Sequence, residues 1–305
     1  LLRGASRLAS MLGIRPILIG LTVVSVGTST PELAVGITAV SEGKGSLAVG
    51  NIAGTNIVNI LLILGLSAMI RPLPTRLLSI KLDVPVMIAS ALALIIMAAD
   101  GILSRFEGAL MMLSAVAYTL ALVRLSRAET AGAQHEFAHE FGRSAMHAGS
   151  GYASGACHLT VLLIGMALTV LGAQWLVSAA VDLARNLGVT DAFIGLTIVA
   201  VGTSAPELVT TMLATYKDDR DVAIGNLIGS SIYNILVILG LTMVVAPNGI
   251  DMSRDILLID LPLAALVAVV CLPVFKSDRQ VSRTEGTLFV LAYCLYVAGL
   301  VWLRT

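Results

Sequence analysis

Apolar residues run through this chain in stretches long enough to cross a bilayer, separated by short polar breaks. A spanning helix needs roughly 20 apolar residues. The pattern predicts a remnant of span 1 at 1–13, span 2 at 17–40, span 3 at 46–70, span 4 at 84–99 and span 5 at 106–125. Span 6 follows at 158–187, span 7 at 191–215, span 8 at 222–246, span 9 at 256–275 and span 10 at 284–303. A polar loop from Ser126 to Cys157 separates spans 5 and 6.

Spans 2 and 7 break their apolar pattern in the same way. Gly27-Thr28-Ser29-Thr30-Pro31-Glu32 returns as Gly202-Thr203-Ser204-Ala205-Pro206-Glu207, 175 residues later. At that offset Gly50-Asn51, Gly54, Asn59 and Leu64-Gly65-Leu66 return as Gly225-Asn226, Gly229, Asn234 and Leu239-Gly240-Leu241. Asp83-x-Pro85 resembles Asp260-x-Pro262 at an offset of 177. The chain thus reads as a first half at 1–125, a linking loop at 126–157 and a second half at 158–305. The apolar segment 158–175 precedes the second copy, so the start of span 1 is expected to lie before Leu1.

Five spans per half bring the second half into the membrane from the opposite side. Lys and Arg test that inversion, because they gather in cytoplasmic loops. With 126–157 placed in the cytoplasm, inside loops hold twelve of them and outside segments five. The expected fold is all-α and integral to the membrane: ten transmembrane helices in two inverted five-helix repeats, span 1 truncated, both termini outside. Inverted repeats with broken helices and a midplane site are the build of secondary transporters.

Composition agrees with a life in lipid. The chain is 57% hydrophobic and 12% charged, with a mean hydropathy of +0.94, where soluble domains carry about a quarter charged residues. Zero net charge leaves no footprint for nucleic acid. Cys157, Cys271 and Cys294 have neither zinc nor disulfide spacing and read as small apolar residues.

The repeated segments carry the chemistry. Ser25, Thr28, Ser29 and Glu32 fall at i, i+3, i+4 and i+7, a polar stripe on an apolar helix. The second stripe is Ala200, Thr203, Ser204 and Glu207. Pro31 and Pro206 cannot bond the carbonyls of Gly27 and Gly202, so each is expected to kink its helix and free backbone oxygen. Asn51, Thr55 and Asn59 form a stripe on span 3, matched by Asn226, Ser230 and Asn234 on span 8. Gly50-x-x-x-Gly54 and Gly225-x-x-x-Gly229 allow close helix approach. Carboxylates, hydroxyls, amides and carbonyls without sulfur or histidine suit calcium or sodium. A glutamate at mid-membrane costs on the order of 3 kcal/mol to insert, so two at equivalent positions point to function.

These residues resemble the calcium/cation antiporters, and within them the sodium/calcium exchangers. The two GTSxPE segments, each followed by GNxxGxxxxN, look like that family's two alpha-repeats. The resemblance implies alternating access and extrusion of calcium against inward sodium, with those ions as the transported partners, no cofactor and no enzymatic activity. It implies Glu32 and Glu207 as shared acidic ligands, backbone oxygens from Thr28 and Thr203, and flanking sodium sites lined by Ser29 and Ser204. Ser25 and Ala200 would offer further carbonyls, with Thr55, Asn59, Ser230 and Asn234 completing the site. Some members carry aspartate where Asn234 stands, a feature associated with potassium co-transport in some branches. Asn234 therefore implies potassium independence, and three-for-one exchange should be electrogenic. The expected place is a plasma or inner membrane, with 126–157 cytoplasmic.

A proton-driven antiporter of the same superfamily is the alternative, and a cation channel a remote one. Hydroxyl-rich segments favour sodium over protons. Channels usually surround a pore with several subunits, whereas this chain holds a two-fold site alone. His135-Glu136-Phe137-Ala138-His139 in the loop spells HExxH, a zinc-protease spacing. No surrounding domain accompanies it, and a solvated linker helix is expected there.

Overall fold

The computed structural model describes residue 18 and residues 20–75, 77–145, 152–186 and 200–304; for 126–145, 200, 300–304 and much of 152–186 it describes the backbone only. Helices dominate it. Span 2 is two pieces, α1 (Leu21–Thr28) and α2 (Thr30–Ser41), bent by 48°. Then come α3 (Gly45–Ile70), α4 (Ser79–Asp100) and α5 (Arg105–Ala145). The second half holds α6 (Tyr152–Asn186), α7 (Ala200–Thr203), α8 (Ala205–Tyr216), α9 (Arg220–Val245), α10 (Ile256–Lys276) and α11 (Arg283–Arg304). Among the described residues five helices are long and apolar enough to cross a membrane, six if the bent pair counts as one. The expected span 1 and the first part of span 7 lie outside the described residues.

Burial separates centre from rim. In their most apolar windows α3 and α9 are 78% buried, against 28–44% for α4, α5 and α10. Small residues allow this. Ala48, Ala53, Ala223 and Gly225 let α3 and α9 pass through the core, since without bulky side chains helices approach closely. Leu92, Ile96, Leu113 and Leu266 on the outer helices stay exposed, as lipid-facing positions do.

The stretch read as a loop after Leu125 departs from expectation. α5 continues through it to Ala145. Residues 126–141 contain no proline and are rich in Ala and Glu, which favour helix. The backbone around His135 and His139 is therefore the expected linker helix, and their side chains lie outside those described.

Short ties join the loops. β1 (Leu73–Pro74) pairs antiparallel with β4 (Gln280–Val281), and β2 (Ile102–Leu103) with β3 (Ile250–Asp251). Exchanging the halves maps one ribbon onto the other: Leu73↔Val281 becomes Ile250↔Leu103. Ser104 and Glu107 form a reciprocal cap on α5, with the backbone N–H of Ser104 donating to Glu107 Oε2 at 2.7 Å. Ser282 and Glu285 repeat it on α11 at 2.8 Å. On the loop before α9, Asp218 pairs with Arg71 at 3.0 Å and Arg220 at 2.6 Å. The Arg220 hydrogen bond foremost, with Arg71 beside it, holds the exposed Asp218 carboxyl below its usual range.

Candidate cation site

The helix breaks create the site. α1 ends at Thr28, Ser29 leaves helical geometry at φ −82° and ψ 11°, and α2 restarts at Thr30 with Pro31 in its first turn. Ser204 does the same between α7 and α8, at φ −85° and ψ 7°. Proline suits a first helical turn because its missing N–H has no partner to lose there. Each restart puts a carboxylate, Glu32 or Glu207, in the first turn of the new helix. The positive helix end favours a negative charge at that position.

Among the twelve expected site residues, Ser25, Thr28, Ser29, Glu32, Thr55, Asn59, Ser204, Glu207, Ser230 and Asn234 are all buried, none above 2% exposed. Thr203 is half-buried, and the Ala200 side chain lies outside those described. The halves meet directly. Ser29 Oγ of the first half donates to Glu207 Oε1 of the second at 3.2 Å. The remaining carboxylate oxygens have no hydrogen-bond partner: both of Glu32, and Oε2 of Glu207. Ser204 Oγ, Thr55 Oγ1, Asn59 Oδ1 and Asn234 Oδ1 are also unpartnered. Buried polar atoms are ordinarily satisfied. Two buried carboxylates and unpartnered hydroxyl and amide oxygens are donors of the kind a hard cation takes.

Among the described residues, no group of three His, Cys, Asp or Glu is placed to hold a metal.

The kink at Pro31 comes out partly as expected. The carbonyl of Gly27 is not left open, because Thr30 Oγ1 donates to it at 2.9 Å. Ala205 stands at the equivalent place in the second half and has no hydroxyl to do so.

Three residues outside the expected set also shape the site. Asn56 Nδ2 donates to the Ser231 carbonyl at 3.0 Å, and Asn234 Nδ2 donates to Asn56 Oδ1 at 3.2 Å. Asn226 Nδ2 donates to Thr211 Oγ1 at 3.1 Å. Repeat comparison passes over Asn56 and Thr211 because their counterparts are Ser231 and Gly36. A count of amides along span 3 would have found Asn56. Both inner helices also carry π-helical turns, Val58–Leu64 and Asn234–Leu239, which shift the rotation of residues at the site and are common at functional sites.

Comparison with known proteins places this architecture. Residues 1–124 and 158–302 match the sodium/calcium exchanger protein family. The chain is 35% identical over 308 residues to the inner membrane protein YrbG of Escherichia coli (strain K12), covering 98% of this chain and 90% of that protein. It is 29% identical over 331 residues to the sodium/calcium exchanger MaX1 of Methanosarcina acetivorans, covering 99% and 93%. The fold matches a structure of the sodium-calcium exchanger NCX_Mj with a TM-score of 0.80 at 25% identity, over 98% of this chain and 92% of that one. NCX_Mj was soaked with Na+ together with Ca2+ or Sr2+ in related structures. With its two broken helices and buried glutamates, this chain is a multi-pass membrane transporter, not an enzyme, and belongs to the sodium/calcium exchanger family.

Proposed function

We propose that the protein is an antiporter that exchanges sodium for calcium by alternating access, independently of potassium. One observation carries the reading: Glu32 and Glu207 are fully buried with three carboxylate oxygens unpartnered, and Ser29 of the first half bonds Glu207 of the second. Two carboxylates neutralise one calcium ion. Three sodium ions would leave one positive charge, so three-for-one exchange moves net charge. The ligands are those named above, Glu32 and Glu207 with hydroxyl, amide and carbonyl oxygens from Ser25, Thr28, Ser29, Thr55, Asn59, Ala200, Thr203, Ser204, Ser230 and Asn234. Binding either ion set satisfies the site, and the empty site strands two buried charges. That penalty discourages crossing without cargo, which is what obligatory exchange requires.

The chain would hold ten spans in two inverted halves, 1–125 and 158–305, joined by a cytoplasmic segment at 126–157. The family match interrupts itself over 125–157, in support of that division. The loop ties support the inversion. The β1–β4 ribbon joins the connection between spans 3 and 4 to that between spans 9 and 10. The β2–β3 ribbon joins 4–5 to 8–9. Ten spans put the first pair of connections on one face and the second pair on the other.

The test is calcium uptake into sodium-loaded proteoliposomes, with Glu32→Gln and Glu207→Gln alongside. Uptake should require internal sodium, ignore potassium and vanish in both variants. Uptake driven by a proton gradient without sodium would replace the driving ion and keep the site. Normal uptake by both variants would remove the site altogether.

A further inference from the structure

The two halves of the site are not equally built. Asn226, Thr211 and Thr28 are buried to 1% exposure or less. Thr211 lies one turn beyond Glu207 on α8 and accepts the Asn226 amide at 3.1 Å. Asn226 Oδ1 accepts the Thr28 hydroxyl at 3.4 Å, and the Asn226 carbonyl accepts the Ser25 hydroxyl at 3.1 Å. Asn226 therefore ties α9 to α1 on one side and to α8 on the other. Gly229, one turn on, packs so closely on Leu21 and Ser25 that a methyl there would collide with both.

At the same offset, Asn226 and Thr211 answer to Asn51 and Gly36 in the first half, and Ser25 answers to Ala200 in the second. Gly36 lies one turn beyond Glu32 and has no side chain to accept an amide. Thr242 fills the space beside it, and its hydroxyl turns to its own backbone at Ile238, 2.7 Å away. Asn51 Nδ2 is left without a partner, and so are both oxygens of Glu32.

We infer that Asn226 is a positioning residue: with Thr211 it forms a strut that fixes Glu207 as the standing carboxylate of the site, and Glu32, which has no strut, is the carboxylate that reorients between ions. This rests on the exchanger reading above. The strut sets the rotation of α8 against α9 and so the direction in which Glu207 presents its oxygens. A preorganised ligand loses less freedom on binding, so the strut acts on ion affinity. Glu32 takes up the difference in geometry between one calcium and several sodium ions.

The test measures half-saturating calcium and maximal rate separately in proteoliposomes, for Asn226→Ala, Asn51→Ala, Thr211→Val and Thr211→Ser. Loss of one such hydrogen bond corresponds to roughly a five- to tenfold weaker half-saturation. Asn226→Ala and Thr211→Val should show it with maximal rate largely kept. Thr211→Ser, which retains the hydroxyl, and Asn51→Ala should behave as the parent. Should Asn226→Ala fail to fold, the Thr211 pair decides alone. Equal shifts in Asn51→Ala and Asn226→Ala overturn the inference, as does Thr211→Val indistinguishable from Thr211→Ser. Glu32→Gln and Glu207→Gln run in parallel. If they abolish uptake while the strut variants match the parent, the strut fails and the exchanger site stands. If they transport normally, the exchanger reading fails first.

Discussion

Asn56 and Ser231 occupy equivalent places in the two halves, and they bond to each other. A contact between repeat equivalents lies on the axis relating the repeats, so Asn56 marks the centre of the molecule. Its Oδ1 also holds the amide of Asn234, a residue of the proposed site. Asn56→Ala leaves the Asn234 amide unpaired in the interior and removes the bond to the Ser231 carbonyl. An unsatisfied buried polar group costs about 1–3 kcal/mol, and thermal unfolding in detergent should show that loss. Asn56→Asp should be worse, since a carboxylate cannot donate to Ser231. At this scale the sequence was informative where the repeats agree. Glu32 and Glu207 stand out by their cost in lipid, and both are buried at the centre. Asn56 and Thr211 were hidden because the repeats differ there. Thr30 shows a further limit: proline chemistry identifies the Gly27 carbonyl as freed, but only the fold shows the neighbouring hydroxyl taking it up.

Helices α3 and α11 cross where Gly65 meets Gly286, and α9 and α5 cross where Gly240 meets Gly108. The four glycines are two pairs of repeat equivalents, so one crossing occurs twice. A methyl added at Gly286 would lie 2.6 Å from the Gly65 carbonyl, and one at Gly108 would lie 2.6 Å from the Gly240 carbonyl. At Gly240 the nearest contact would be 3.1 Å. Overpacking of this kind costs about 1–3 kcal/mol. Gly286→Ala and Gly108→Ala should therefore lower the melting temperature in detergent by similar amounts, and Gly240→Ala by less. Equal effects from all three would mean the backbones can separate freely at the crossings. Hydrophobic runs located most of these helices within a few residues, as with 46–70 for Gly45–Ile70, because the bilayer fixes their length. The π-helical turns were not legible, since a local change of helical period leaves the apolar run unbroken. Nor were the two-residue ribbons, which exist only through their partners. The Ser-x-x-Glu caps at 104–107 and 282–285 were legible signals that span reading ignores.

Among the described residues, every tie between loops respects one division of the molecule into two faces. Arg71 reaches Asp218, Arg283 donates to the Ile70 carbonyl, and β1 pairs with β4. These join the connections 3–4, 7–8 and 9–10. Ser46 Oγ accepts the N–H of Ser253, Arg105 donates to the Ala246 carbonyl, and β2 pairs with β3. These join 2–3, 4–5 and 8–9. Only an odd number of spans per half puts repeat-equivalent loops on opposite faces while keeping each set together. The proposed orientation rests on charge, since the first set carries the Lys and Arg excess expected of the cytoplasmic side. Single cysteines at Lys44, Arg254, Lys217 and Asp278, all exposed, test both steps once Cys157, Cys271 and Cys294 are replaced by alanine. In right-side-out vesicles a membrane-impermeant maleimide should label positions 44 and 254 at once. Positions 217 and 278 should react only after permeabilisation. The opposite result would reverse the orientation and leave the inverted repeat intact. Labelling of 44 together with 217, without permeabilisation, would place repeat-related loops on one face. A two-fold site between inverted halves could not then exist.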